Sequence, residues 1–188
     1  MLPNTIKPVK KSRLEKLEAV RGFAALYVVL FHTLPQKVYL AGINVGILFR
    51  FGPEAVIVFF VLSGFVIKYT YERSADKSFK YYFVRRFIRL YIPLLFIFLL
   101  GYLIKCYGEG KLASPEWPVL FGNLFMLQDV ISQKPHVISP AYMGNGVLWS
   151  LSYEWWFYML FFALRKNIGS EKLNKWVNII TITAAATY

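Results

Sequence analysis

The 188 residues predict an all-α protein, a polytopic bundle of membrane-spanning helices, and three features predict it. The chain is 57% hydrophobic and 19% aromatic with positive mean hydropathy, richer in apolar residues than an ordinary soluble domain. Those residues gather into runs approaching the roughly 20 that carry a helix across a bilayer. The excess positive charge, +12 at pH 7, falls mostly between the runs. A basic balance of this size also suits nucleic acid. Basic residues interleaved with membrane-length runs suit anionic lipid headgroups better, so a lipid bilayer is the expected partner and nucleic acid is not. The single Cys106 allows neither an intramolecular disulfide nor a thiolate metal cluster.

The elements follow in order. The first apolar segment covers 19–34 (AVRGFAALYVVLFHTL), with an optional extension through Tyr39 to Ile43. The second covers 55–71, the third 90–107 and the fourth 147–164. A fifth, 176–188, is too short to span and ends with the sequence, which gives four spans plus a truncated fifth. Several fall short of 20 residues, so flanking residues or tilt must contribute. The stretch 117–130 is apolar but interrupted by Gly122 and Asn123, and reads as re-entrant or interfacial.

Lys and Arg then set the orientation. Residues 1–21 carry six, 68–89 seven and 165–175 four, against two in 35–54 and three in 105–134. Seventeen against five, alternating at each crossing, places the N-terminus in the cytoplasm of a multi-pass protein of the inner (plasma) membrane. The 35–54 and 108–146 loops then face the other side. The second of these, with Pro115, Pro118, Pro135 and Pro140, reads as irregular and solvent-facing. A basic start before an apolar core resembles a secretory signal. No small-residue cleavage site follows His32 closely, so a retained signal-anchor is expected.

Polar residues inside apolar runs mark the candidate site, because an ionisable group at membrane depth is costly. Arg21 and His32 share the first run. Eleven residues is close to three helical turns, so they project from nearly one face about 16 Å apart. Arg85, Arg86 and Arg89 precede the third run, with Arg86 and Arg89 neighbours on one face. They read either as topological anchors on lipid phosphate or as a phosphate clamp of paired guanidiniums. Ser150, Glu154 and Tyr158 recur every four residues as a polar stripe in LWSLSYEWWFYML. Glu154 needs a partner, with His32 or an arginine expected, and a buried ion pair holding helices in register is the alternative. Ser63 and Gly64, read alone, suit close helix packing. His32 and His136 lie far apart without a dense ligand cluster, so no metal site is expected.

Taken together, Arg21 and His32, FFVLSGF at 59–65, RRFIRLYIP at 85–93 and LWSLSYEWWFY at 148–158 resemble the membrane acyltransferase family 3, across about 14–165. The acidic residue that many members carry two positions before the FF pair is Ile57 here. The resemblance implies an O-acyltransferase that uses acyl-CoA to modify cell-surface carbohydrates, acetyl being the default acyl group. It implies functional roles for Arg21, His32, Arg86, Arg89 and Glu154. It also implies a domain of about ten spans. Residues 1–188 are thus expected to be the N-terminal portion of a single acyltransferase domain, its bundle incomplete unless a second chain supplies helices.

The expected chemistry follows. His32 acts as general base, since an ordinary imidazole accepts a proton near neutral pH. Glu154 orients it and stabilises the imidazolium, as the acid of a triad does. Arg86, Arg89 and Arg21 hold the phosphates of acyl-CoA, a donor substrate rather than a tightly bound cofactor, at the cytoplasmic face. Transfer is direct, because no serine or cysteine is clearly paired with a base. The rival class is a transporter or channel component in which Arg21, His32 and Glu154 line an ion pathway; an inactive fragment is a third reading.

Overall fold

The computed structural model describes residues 11–35, 37–132, 134–166, 170–172 and 175, and the fold is mostly helical. It divides into two compact units, Met1–Lys77 and Ser78–Tyr188.

In the first unit, helix α1 (Lys11–Thr33) stops just before Pro35. Proline cannot donate to a helix, and it pushes the residue before it away from the helical region. The optional extension of the first segment is therefore not helical. Instead β1 (Tyr39–Leu40) pairs antiparallel with β2 (Ile43–Asn44) across a two-residue turn. Ala41 and Gly42 both have positive φ, 50° and 79°, the conformation that matches the twist of a tight hairpin. A 3-10 turn, Val45–Phe49, leads to α2 (Gly52–Glu72), which starts with Pro53 in its first turn. There proline costs nothing, because the first N–H groups have no helical partner.

Helices α1 and α2 pack closely. A Cβ on Gly52 would run into the Phe31 ring, so glycine is what lets that ring press against the start of α2. The Tyr27 hydroxyl donates to Leu48 O and accepts from Phe51 N (3.3 Å), tying α1 to the turn before α2. Ala24, Val56, Val66 and Ile67 form the buried centre.

In the second unit, Ser78 caps α3 (Phe79–Glu109) by accepting from Tyr81 N at 3.3 Å, and Gly110 ends it in the left-handed region with φ 66°. These are the expected start and stop of a helix. The third apolar run is thus only the later part of a 31-residue helix that also carries the three arginines. Pro93 inside it removes the N–H that would bond Arg89 O. Trp155 of α5 (Trp149–Leu164) packs in T-shaped contact with Phe83, Phe87 and Tyr91 of α3, with centroids 5.4, 6.3 and 5.2 Å away.

Between α3 and α5 the chain is more ordered than an irregular solvent-facing loop. It forms α4 (Trp117–Leu124), then β3 (Gln128–Asp129) pairing parallel with β4 (Ser139–Pro140), then 3-10 turns at Tyr142–Gly144 and Gly146–Leu148. Asn123, 0% exposed, is the reason. Its Nδ2 donates to Val119 O (2.8 Å), Pro140 O (2.7 Å) and Ser139 Oγ (3.2 Å), and its Oδ1 accepts from Tyr142 N (2.9 Å). One amide thus satisfies the backbone of three segments, as a buried polar group must. The stretch 117–130 is accordingly a short helix followed by a strand, with Tyr91 donating to Leu124 O at 2.7 Å.

Among the described residues, two helices are long and apolar enough to cross a membrane, Val45–Glu72 and Phe79–Glu109. The predicted fourth run corresponds to α5, 16 residues long, and 176–188 lies outside the described residues.

Candidate functional site

The site residues fall into one set in each unit. In the first unit Arg21 and His32 both lie on α1. The Arg21 guanidinium sits 5.3 Å from the centroid of Phe59, the first residue of FFVLSGF. Two motifs read separately from the sequence therefore meet on adjacent helices. A cation over an aromatic face is worth about 0.5–2 kcal/mol, more as water is excluded. His32 is exposed, with its ring edge-on to Phe31 at 4.9 Å. It sits in the last turn of α1. Ser63 is buried, and among the described residues its hydroxyl has no hydrogen-bond partner.

In the second unit Arg86, Glu154 and Tyr158 converge. Arg86 lies over two phenol rings, 4.7 Å from the centroid of Tyr82 and 5.6 Å from that of Tyr158. The Tyr158 hydroxyl donates to Glu154 Oε1, and Tyr82 donates to Tyr158 O at 3.0 Å. Glu154 is 7% exposed. The partner given to this buried carboxylate is thus the residue one turn later on its own helix, the lower half of the Ser150–Glu154–Tyr158 stripe. Ser150 instead donates to Val147 O at 3.1 Å. Arg89 is exposed, and Arg85 donates to the Tyr81 hydroxyl at 3.1 Å.

This arrangement has a chemical use. A guanidinium laid against ring faces holds its N–H groups in a defined plane, the requirement for bidentate binding of phosphate. The carboxylate fixes Tyr158, and Tyr158 forms part of the bed on which Arg86 lies. Arg86, Glu154 and the stripe stand out in the sequence, and Tyr82 does not. Its only sequence mark is the four-residue spacing to Arg86.

Arginine-bearing helix and glutamate-bearing helix, joined through aromatic side chains, define a helical protein with a polar centre among apolar helices. The sequence matches the model of the acyltransferase domain, acyltransferase family 3, over residues 14–188, and the chain belongs to that family. It is 34% identical over 160 residues to acyltransferase MdmB of Streptomyces mycarofaciens, an alignment covering 82% of this chain and 40% of that protein. The chain thus spans well under half the length of this curated relative. No solved structure matches it.

Proposed function

We propose that the chain is the part of a multi-pass membrane O-acyltransferase that moves an acyl group, acetyl in the simplest case, from acyl-CoA to a hydroxyl of a cell-surface carbohydrate. The observation that carries the reading is the convergence of Arg86 and Glu154 on Tyr158, which joins the RRFIR and SLSYEWWFY motifs in one cluster. Motifs more than 60 residues apart have little reason to share a side chain if each only anchors its own helix.

In this proposal four segments cross the inner membrane from a cytoplasmic N-terminus, supported by the seventeen-to-five distribution of basic residues. Exposed apolar side chains on α2 and α3, such as Val61, Phe96 and Leu99, meet lipid or further helices, from the rest of a longer chain or from a second one. Arg86, Arg89 and Arg21 take the phosphates of CoA. His32 accepts the proton of the attacking hydroxyl. The new C–O bond forms at the thioester carbonyl as the C–S bond breaks, and the proton passes to the departing CoA thiolate. Glu154 is assigned to the charge that proton transfer creates.

Membranes carrying the chain, supplied with acetyl-CoA labelled in the acyl carbon, test this. His32→Ala is expected to lower thioester turnover by about 100-fold or more, the ordinary worth of a general base. Arg86→Ala is expected to raise the KM for acetyl-CoA about tenfold or more, the loss of one charge-assisted contact. Unchanged turnover in both variants would overturn the assignment, and an acylated protein intermediate would overturn direct transfer.

A further inference from the structure

The Ser78–Tyr188 unit holds a pocket of about 240 Å³, apart from the arginine cluster, lined in part by Gln128, Asp129, Lys134, His136, Tyr153 and Trp156. Nothing assigned above uses these residues. They come from β3, from the segment before β4, and from the exposed side of α5.

The pocket is built of compensated charge. Lys134 Nζ lies 3.0 Å from Asp129 Oδ2 and donates to the Tyr153 hydroxyl at 2.7 Å, and Tyr153 donates to Asp129 Oδ2 at 2.9 Å. Lys134 also sits over the Tyr153 ring, 4.6 Å from its centroid. An anion entering here meets Asp129 and a cation meets Lys134, so an uncharged ligand with both donors and acceptors fits best. Beside these groups lies Trp156, half exposed, its indole N–H fixed on Met126 O at 2.9 Å. A held aromatic face next to paired donors and acceptors suits a ring whose C–H face is apolar and whose rim carries hydroxyls.

A second observation is independent of that cluster. Gln128 is 1% exposed, and its Nε2 donates to Leu148 O at 3.1 Å, but among the described residues its Oε1 has no hydrogen-bond partner. Leaving a buried acceptor unpaired costs about 1–3 kcal/mol. A ligand hydroxyl donating to it recovers that cost.

We propose that this pocket binds one hydroxyl-rich ring of the acceptor, with Trp156 against its C–H face and Gln128, Asp129, Lys134 and His136 on its hydroxyls. The proposal rests on the acyl-transfer reading above and adds where the acceptor is recognised. Size agrees. Sites for drug-sized ligands run to about 300–1,000 Å³, and 240 Å³ holds one small unit of a larger molecule.

The test uses the full chain in lipid nanodiscs, with maltohexaose and chitohexaose as neutral probes and a hexagalacturonate as the charged one. Saturable binding of at least one neutral probe is expected, at least tenfold tighter than the hexagalacturonate. Tyr153→Phe and Gln128→Met are each expected to weaken it tenfold or more. Gln128→Met keeps the side chain's length but gives up the Nε2 bond to Leu148 O, so native helix content of that variant by circular dichroism in the discs separates lost recognition from lost fold. Failure of both neutral probes to bind, or binding indifferent to both variants, overturns the proposal. Binding of a fluorescent acyl-CoA is measured on the same discs. Acyl-CoA bound without sugar sinks the pocket and leaves the acyl-transfer reading standing, whereas sugar bound at these residues without acyl-CoA sinks that reading.

Discussion

Tyr158 does two jobs with two ends: its ring lies under Arg86, and its hydroxyl serves Glu154. Tyr158→Phe separates them. The ring stays, so Arg86 keeps its bed, while the carboxylate loses a donor inside a nearly closed environment. A loss of about 1–3 kcal/mol in stability is expected, the cost of a buried polar group left short of a partner. In thermal unfolding, Tyr158→Phe combined with Glu154→Gln should cost less than the two single changes summed, because the second change removes the group that the first left unpaired. Strict additivity would mean that the hydroxyl and the carboxylate do not interact. Arg86 and Glu154 were legible in the sequence because a charge in an apolar run is conspicuous. Tyr82 was not, since a tyrosine in an aromatic-rich helix looks like packing and only the fold shows that it lies under a guanidinium.

Among the elements, the apolar runs gave the helices' centres but not their ends. Hydropathy drew the third run from residue 90, whereas α3 begins at Phe79, because Ser78 caps it and Arg85, Arg86 and Arg89 are good helix formers. Ser78→Ala should therefore cost about 1 kcal/mol, read as a lower unfolding temperature. The Asp129–Lys134–Tyr153 cluster could not be read at all, since Asp129 and Tyr153 are 24 residues apart and neither stands out locally. Its pH behaviour follows from its bonds. Burial opposes the charge on Asp129, but the Val130 N–H, Lys134 and Tyr153 outweigh it and hold its carboxyl below the ordinary range. Burial likewise opposes the charge on Lys134, and its bonds to Tyr153 and Asp129 raise it above the ordinary range. A depressed carboxyl contributes stability above its unfolded value, about 3.9, and a raised amine below its own, about 10.4. The cluster is thus at full strength between those limits. The contribution fades as pH falls through the lowered Asp129 value or rises through the raised Lys134 value. The gap in melting temperature between the natural chain and Asp129→Asn should be widest from about pH 5 to 9 and close below about pH 4. A gap that stayed constant down to pH 3 would show that the carboxylate's charge contributes nothing.

At the scale of the whole molecule, membrane thickness decides what the arginines on α3 can reach. Its 31 residues give about 46 Å of helix at 1.5 Å per residue, against a hydrocarbon core of about 30 Å. Some ten residues must therefore project beyond the core. The charges choose the end: Lys80, Arg85, Arg86 and Arg89 crowd the start, and Lys105 and Glu109 mark the finish. Centring the helix on its uncharged stretch, 90–104, puts Arg85 and Arg86 at headgroup level and Arg89 about two residues inside the core edge, from where its long side chain reaches the headgroups. A guanidinium there meets phosphate without paying for burial in hydrocarbon. In the orientation proposed above that surface is the cytoplasmic one, the side where CoA is made. Labelling tests it. With Cys106 replaced by Ala, Asp76→Cys before α3 and Lys111→Cys after it are treated with a membrane-impermeant maleimide. Intact cells should label Lys111→Cys, and Asp76→Cys should label only once the membrane is opened. The reverse pattern would place the arginines on the outer surface, remove their access to cytoplasmic acyl-CoA and leave the phosphate-clamp assignment without a ligand.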